Sequence, residues 1–279
     1  MPGPMDVTKV FDLTGRVAVI TGGAGFLGLR HAEAIAGAGG IPVLIDLPVA
    51  RPEAVAADLT ALWGRQVEGR AVDITDPAQV DALLAWILQR LGRVDILVNN
   101  AANNPKMEDG SVSEWSRLES FPLAVWQNDI AVGLTGAFLC SRTFGTEMAR
   151  RGKGVIVNVA SDLAVIAPDQ RIYRQDGLDP LQQPVKPVTY SVVKTGLIGL
   201  TRYLATYWAD AGVRVNAISP GGVANGQPGE FVAKLANLIP MSRMADMNEY
   251  QGSMLFLCSD ASSYMTGTNL VVDGGRSCW

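Results

Sequence analysis

The sequence is poor in histidine and cysteine, and each scarcity narrows the chemistry that the chain can perform. Its 279 residues include one histidine and three cysteines. Cys140, Cys258 and Cys278 are widely spaced and odd in number, which predicts reduced thiols rather than a disulfide framework or a zinc site. His31 is expected to be a packing or surface residue. No cluster of histidine, cysteine or paired carboxylates has metal-ligand spacing, so the sequence predicts no metal site.

Long apolar runs and clusters of one charge are also missing. No uninterrupted apolar run reaches the roughly 18 residues that are typical of a membrane span, and the N-terminal stretch lacks the basic and apolar regions of a secretion signal. The 23 basic and 27 acidic residues are spread along the chain, so neither nucleic acid nor a membrane is expected as a partner. We therefore expect a cytoplasmic protein that binds a small polar molecule.

Short apolar runs alternate with helical stretches. An apolar content of 48% is enough for one substantial core, and neither a repeat nor a low-complexity linker divides the chain. The alternation predicts one α/β domain over residues 1–279, a Rossmann-type doubly wound sheet of seven mostly parallel strands with helices on both faces. Asp76 followed by Pro77 predicts a helix start. The predicted strands cover 17–20, 41–45, 69–73, 94–98, 154–159, 213–218 and 269–272.

The first predicted strand runs into glycines and then into a helical pattern, in the segment RVAVITGGAGFLG. Gly22, Gly25 and Gly28 would allow a tight turn and a close approach of backbone to a pyrophosphate. The helix that includes Phe26 and Leu27 would direct unpaired N–H groups at the phosphates. This layout is typical of a dinucleotide site, although ordinary strand-to-helix turns also contain glycines.

Asp46 closes the second predicted strand. Its carboxylate is in position to accept hydrogen bonds from an adenosine ribose and to repel a 2′-phosphate. The sequence therefore favours NAD over NADP.

Tyr190 and Lys194 are four residues apart in the segment YSVVK, so on a helix their side chains would share one face. A free phenol has a pKa of about 10, and each unit of lowering needs about 1.4 kcal/mol of preferential stabilisation of the phenolate. A cation held beside the phenol can supply it. Alone, this spacing arises often by chance, and its ordinary interpretation is a surface lysine beside a packed tyrosine.

Together these segments resemble the short-chain dehydrogenase/reductase family along nearly the whole chain. The matching segments are TGGAGFLG (21–28), Asp73 with Ile74, NNAA (99–102), VNVAS ending at Ser161, YSVVK (190–194), NAISPGG (216–222) and SSYMTGTNLVVDGG (262–275). Within the family, the likeness is to gluconate-dehydrogenase-like members and to oxidoreductases of surface-sugar and flagellin modification.

The resemblance implies a role for each matching residue. Tyr190 would be the general acid/base, Lys194 would bind the nicotinamide ribose and lower the pKa of Tyr190, and Ser161 would hold the reacting oxygen. A homotetramer or homodimer is also implied. Further implied cofactor contacts are Asp73 and Ile74 near the adenine, Asn99 and Ala101 after the fourth strand, and Pro220, Gly221, Val223 and Asn225 after the sixth.

Two positions depart from the family pattern. Phe26 stands where most members carry glycine, as in larger sugar-nucleotide epimerases. Because this chain ends soon after its last predicted strand, we expect it to lack their substrate lobe. Gly133 stands where the family has the asparagine of a proton relay. A glycine preserves the backbone carbonyl there and loses the side chain. If the water relay depends on that carbonyl, we expect Gly133→Asn to be tolerated or mildly activating. If the glycine makes room for substrate, we expect a large rise in KM.

Three polar segments interrupt the α/β pattern, and we expect them at the substrate site above the carboxyl ends of the strands. They are the loop from Ala102, the long segment 162–189, and the segment 225–244, a predicted helical lid. Arg171 is predicted to bind an anionic group of the substrate. The expected substrate contacts are Asn103, Lys106, Asp162, Arg171 and Gln227.

The sequence thus predicts an NAD-dependent oxidoreductase that interconverts a secondary alcohol and a ketone on a sugar or sugar acid. Two alternatives stay open. One is an epimerase or dehydratase with tightly held NAD. The other is a non-catalytic NAD-binding scaffold or sensor that has lost turnover together with the relay asparagine.

Overall fold

A computed structural model describes residues 6–105 and 114–279 as an α/β domain built on a single sheet. The seven strands stand in the order β3-β2-β1-β4-β5-β6-β7, and every pairing between neighbours is parallel. This confirms the predicted doubly wound fold, with a fully parallel sheet in place of the mostly parallel one expected.

The elements of the domain have the following bounds. The strands are β1 (Val17–Thr21), β2 (Ile41–Asp46), β3 (Glu68–Ala71), β4 (Ile96–Asn99), β5 (Gly154–Val159), β6 (Val213–Pro220) and β7 (Asn269–Val272). The helices are α1 (Phe26–Gly37), α2 (Pro52–Trp63), α3 (Pro77–Leu91), α4 (Leu123–Ile130), α5 (Gly136–Arg150), α6 (Val188–Tyr207), α7 (Gly229–Ala236) and α8 (Gln251–Cys258).

The sequence predicts the start of helix α3 correctly and the end of strand β3 two residues too late. Helix α3 begins at Pro77 as predicted, because the Asp76 carboxylate accepts the N–H of Ala78 at 2.9 Å. Strand β3 ends at Ala71 rather than at residue 73. Its pairing with β2 stops there, because the chain turns and the Asp73 carboxylate accepts hydrogen bonds from the next turn.

Apolar side chains cover both faces of the sheet. One face packs against α3 and α5 through Ile87 and Phe144, and the other packs against α1 and α8 through Ile35 and Met254. All four side chains are fully buried. Because successive strand residues point to opposite faces, each central strand contributes to both cores.

The helix that carries Gly133 contains an irregular turn. It runs without a break from Leu123 to Arg150, with a π-helical segment at Ala131–Thr135 between α4 and α5. By length and a mean hydropathy of 1.2 this run could cross a membrane, but here it packs on β4, β5 and α6 as a layer of the domain. π-helical turns of this kind are frequent at functional sites.

A smaller apolar cluster lies apart from the two cores. It joins Tyr173 of segment 162–189 to Leu235 and Phe231 of segment 225–244, with the rings of Tyr173 and Phe231 5.6 Å apart. We call it the lid cluster. The two long segments that the sequence places at the substrate site therefore pack on one another.

His31 is fully buried on α1, and neither ring nitrogen has a hydrogen-bond partner in the described part of the chain. Burial lowers its pKa from 6.5 to about 4, because desolvation disfavours the charged imidazolium. The side chain packs in the interior, as expected.

We expect His31 to make the free energy of unfolding fall as the pH drops from 6.5 to about 4. Through that range the imidazole is protonated in the unfolded chain and stays neutral in the folded protein. The free energy of unfolding should therefore be about 3 kcal/mol lower near pH 4 than above pH 6.5. Urea unfolding at several pH values compares the wild type with His31→Leu. The variant should gain stability relative to the wild type as the pH falls, and parallel curves would contradict the buried neutral state.

Candidate active site

The glycine turn between β1 and α1 leaves little room for side chains. A Cβ atom on Gly28 would lie 2.2 Å from the carbonyl oxygen of Gly22, and Gly22 itself has a φ of +61°, a conformation that favours glycine. Helix α1 begins at Phe26 after Gly25, and no described side chain caps it. The N–H groups of its first turn, including that of Leu27, are therefore suited to bind a phosphate.

Asp46 stands beside this turn at the end of β2. One carboxylate oxygen accepts the N–H of Ala24 at 3.2 Å, and the other accepts the N–H of Leu47 at 2.9 Å. These two bonds hold the group in place, and each oxygen keeps a lone pair for another donor. This is the geometry that a ribose ligand requires.

The side chain that braces the glycine turn is that of Asn100, which sequence reasoning missed. Its Nδ2 donates to the carbonyl oxygens of Thr21 at 2.9 Å and Gly22 at 3.1 Å. Asn99, expected to line the cofactor path, is instead buried and donates to Oδ1 of Asn158 at 2.8 Å. Because neighbouring strand residues point to opposite faces, Asn99 faces the core and Asn100 faces the turn.

Other predicted cofactor residues lie at the same edge of the sheet. The backbone of Ala101 lies 3.0 Å from where a Cβ on Gly22 would stand, so these two segments touch. The Asp73 carboxylate accepts both the N–H and the O–H of Thr75. Ile74 is buried, so a cofactor contact at that residue has to come from its backbone.

The segment after β6 is braced by a side chain that the sequence assigns to the substrate. Pro220 ends β6 and Gly221 follows it, with Asn225 exposed further along. Gln227 donates from Nε2 to the carbonyl oxygen of Val223 at 2.9 Å and accepts the N–H of Asn225 at 2.7 Å. Both ends of its amide are thus engaged with the backbone, and a substrate contact of Gln227 stays a prediction.

Ser161, Tyr190 and Lys194 come together at the carboxyl edge of the sheet. Ser161 follows β5, and its side chain lies close enough to the phenol of Tyr190 to lower its pKa. Tyr190 and Lys194 lie on α6, where the Lys194 ammonium is 5.8 Å from the centre of the Tyr190 ring. That ammonium donates to the carbonyl oxygen of Val159 at 2.7 Å. The four-residue spacing therefore places the pair as predicted.

Burial works against the proton chemistry of this pair. Burial raises the pKa of Tyr190 above its usual 10, and the negative charge of Asp162 raises it as well. The Ser161 side chain lowers it, but by less than burial raises it. Burial also lowers the pKa of Lys194 to about 8, and the nearby Lys186 ammonium pushes it the same way. Tyr190 keeps some exposed surface, but its ionisable end is enclosed. The net effect of the surroundings on the Tyr190 pKa is upward, opposite to the predicted lowering, because desolvation dominates.

Asp162 holds Ser161 in place. Its carboxylate accepts the Ser161 hydroxyl at 2.9 Å and pairs with the guanidinium of Arg276 at 2.7 Å. The two charged side chains are only 4% and 7% exposed. Asp162 is therefore not the substrate contact that the sequence predicts. Arg276 was missed because its partner lies 114 positions away in the chain.

A small cavity lies beside the catalytic residues. Its volume of about 10 Å³ is room for roughly one water molecule. The buried Asp129 of α4 faces it, accepting hydrogen bonds from Nδ2 of Asn103 at 3.0 Å and from Oγ1 of Thr189 at 2.6 Å. Asn103 thus lies at the site as predicted. The Asp129 carboxylate that holds its amide was not predicted from the sequence. The other lining residues are Ala102, Gly133, Tyr190, Val193 and Lys194.

Val193 occupies the space that a side chain at position 133 would need. A Cβ on Gly133 would lie 2.5 Å from Cγ1 of Val193, whose side chain is buried on α6. A valine on a helix has one strongly preferred rotamer and cannot easily turn away. The expectation that Gly133→Asn is tolerated is therefore wrong.

Arg171 is already paired within its own loop. Its guanidinium contacts both oxygens of Asp169 at 2.7 to 3.2 Å, and its side chain is 74% exposed. The pair lowers the pKa of Asp169 to about 2. The two-pronged face of Arg171 is occupied by Asp169 in this structure, and its role toward an anionic substrate stays a prediction. Lys106, another predicted contact, lies outside the described residues.

Comparison with known families agrees with this geometry. Residues 16–173 match the family model described as short chain dehydrogenase, and residues 182–277 match the one described as enoyl-(acyl carrier protein) reductase. The chain belongs to the short-chain dehydrogenase/reductase family. This confirms the resemblance that the motifs indicated.

Members of the family resemble this chain over nearly its whole length. The D-threitol dehydrogenase of Mycolicibacterium smegmatis is 35% identical over 95% of this chain and 94% of its own length. The galactitol 2-dehydrogenase of Rhizobium johnstonii is 34% identical over 99% of this chain and 100% of its own length. A solved gluconate 5-dehydrogenase of Burkholderia cenocepacia, in complex with NADP and tartrate, is 27% identical with a TM-score of 0.83, over 97% of this chain and 98% of its own.

We expect Gly133→Asn to destabilise the protein by about 2 kcal/mol, because the new side chain overpacks the interface with α6. Adding Val193→Ala should recover most of that loss by removing the methyl groups in the way. The matched control is Gly199→Asn, since Gly199 lies on α6 and a Cβ there would meet open space. Thermal unfolding measures all three, and an unchanged midpoint for Gly133→Asn alone would contradict the steric conflict.

Proposed function

We propose that the protein is an NAD-dependent dehydrogenase that oxidises a secondary hydroxyl of a neutral sugar alcohol to a ketone, and that reduces the ketone in the reverse direction. The observation that carries the proposal is the meeting of Ser161, Tyr190 and Lys194 at the carboxyl edge of the sheet, the edge that also carries the glycine turn and the uncapped start of α1. Family membership alone does not specify chemistry, whereas a set of side chains in one place does.

The chemistry follows from their positions. In the oxidative direction, Tyr190 as phenolate takes the proton of the substrate hydroxyl, and Ser161 holds the reacting oxygen by a hydrogen bond. The Lys194 ammonium, fixed by the Val159 carbonyl, favours the ionised phenol. The glycine turn and Asp46 would hold the dinucleotide, which would supply the acceptor for the hydride that leaves the substrate carbon.

The preference for NAD rests on the Asp46 carboxylate. Its carboxylate is anchored by two backbone N–H groups beside the glycine turn, so it cannot easily swing away from a 2′-phosphate. Bringing two negative groups together at such a site is unfavourable. The gluconate 5-dehydrogenase described above was solved with NADP, so the family fold itself does not determine the choice.

The preference for a neutral polyol is argued from the loops. Arg171, the group expected to bind a carboxylate, is paired with Asp169. The cavity beside the catalytic residues is lined by Asn103 and by the carboxylate of Asp129, and a carboxylate favours hydroxyl groups over a second anion. The relatives named for D-threitol and galactitol act on neutral polyols, which supports the same class for this chain.

The deciding experiment measures turnover of a panel of polyols and of their matching aldonic acids. NAD is the cofactor, and the formation of NADH is the readout. We expect kcat/KM to be at least about tenfold higher for the polyols. Tyr190→Phe should lower turnover by about 10²- to 10⁴-fold and leave NAD affinity unchanged, because only the transferable proton is lost.

Other outcomes of that experiment would replace the proposal. A preference for the acids would remove the neutral-polyol assignment. NAD that stays bound through gel filtration without net NADH formation would indicate an epimerase or dehydratase. NAD binding without turnover on any substrate of the panel would indicate a scaffold or sensor.

We expect NAD to bind at least about tenfold more tightly than NADP, and Asp46→Ala to narrow that gap by removing the repulsion of the 2′-phosphate. Titration of both dinucleotides into both proteins measures it. Asp73→Ala is the matched control, since that carboxylate caps a neighbouring turn and should not change the NAD to NADP ratio. Equal affinities in the wild type would contradict the assignment of Asp46.

A further inference from the structure

A second lysine lies closer to the catalytic tyrosine than Lys194 does. The Lys186 ammonium is 4.0 Å from the centre of the Tyr190 ring, against 5.8 Å for Lys194. Lys186 is not on α6, which begins at Val188. It belongs to the end of the long segment between Ser161 and Tyr190.

Contacts at both ends of the residue fix Lys186 in this position. Its Nζ donates to Oδ1 of Asn104 at 2.7 Å, and its backbone N–H donates to Oε1 of Gln170 at 2.8 Å. Asn104 belongs to the loop after β4, and Gln170 begins a short turn of segment 162–189. The ammonium is therefore held over the ring by two separate parts of the site.

We infer that Lys186 is a positioning residue of the reaction, whose ammonium, tethered by Asn104 over the ring of Tyr190, stabilises the phenolate together with Lys194. The inference rests on the proposed function, in which Tyr190 must ionise. A cation about 4 Å from an aromatic ring is attracted to its face, and the attraction grows when the ring carries a negative charge.

Several charged groups surround Tyr190. From α6 it faces Lys194, whose pKa is lowered to about 8 by burial and then by the Lys186 ammonium. From α4, the carboxylate of Asp129 lines the same cavity. From the turn after β5 it faces Asp162, whose charge opposes the phenolate, although Arg276 pairs with it. Lys186 is only half-buried, and hydration favours its charged form.

The test is the pH dependence of kcat/KM for polyol oxidation in Lys186→Met and Lys186→Arg. Methionine keeps the length of the side chain without its charge, and arginine keeps the charge. We expect the limb that reports Tyr190 ionisation to move up by about one pH unit in Lys186→Met, with kcat/KM about tenfold lower at pH 7 and converging with the wild type at high pH. Lys186→Arg should restore most of the shift.

Lys153→Met is the matched control. Lys153 precedes β5 at the opposite edge of the sheet, and its side chain is 65% exposed. Its pH profile should coincide with that of the wild type. A Lys186→Met profile lowered equally at all pH values would mean that the side chain only supports the loop. A raised KM without movement of the limb would mean that it binds substrate. Either result would overturn the inference.

A second measurement separates this inference from the proposed function. Tyrosinate absorbance can be titrated in the NAD complex, with Tyr190→Phe subtracted to isolate the Tyr190 phenol. The phenol of Lys186→Met should ionise at a higher pH than that of the wild type even if no polyol is turned over. An unchanged titration in an enzyme that does oxidise polyols would overturn the role of Lys186 and leave the proposed function standing.

Discussion

A chain of buried hydrogen bonds fixes helix α6 against the sheet, and the active site depends on that attachment. Asn99 of β4 donates to Asn158 of β5 at 2.8 Å, and Asn158 donates to Oγ1 of Thr201 on α6 at 2.8 Å. All three side chains are buried, where an unpaired polar group costs about 1–3 kcal/mol. Helix α6 cannot slide or rotate without breaking these bonds, so Tyr190 and Lys194 keep their register relative to the end of β5.

The same burial creates the electrostatic difficulty of the site. Enclosure raises the pKa of Tyr190 and lowers that of Lys194, and both shifts oppose the charged pair that the chemistry uses. Charges from distant segments act on the tyrosine of this pair, although Lys186 also lowers the pKa of Lys194 further. Arg276, from the turn after β7, neutralises Asp162 beside Ser161, and Lys186 brings a further cation to the ring. The electrostatics of the tyrosine are thus a property of the whole carboxyl edge rather than of one lysine.

Gly133 and Val193 are complementary in size where two helices meet. Gly133 removes a side chain from the π-helical turn, and Val193 on α6 fills the space with its methyl groups. One turn earlier, Asp129 turns a carboxylate to the same cavity and ties Asn103 to Thr189. This wall of the cavity therefore keeps a polar group, supplied by Asp129.

Local patterns in the sequence were sufficient for the fold and for the central residues of the site. Alternating apolar runs predict the seven strands, Asp76 with Pro77 predicts the start of α3, and the spacing of Tyr190 and Lys194 predicts their shared face, because strand, cap and helix geometry are determined by neighbours in the chain. Only the tertiary structure decided the partners of the charged groups. It pairs Arg276 with Asp162, closes Arg171 onto Asp169, and brings Lys186 to the ring. Such contacts depend on which loops meet in space and on how each side chain is rotated, and periodicity along a single chain carries neither.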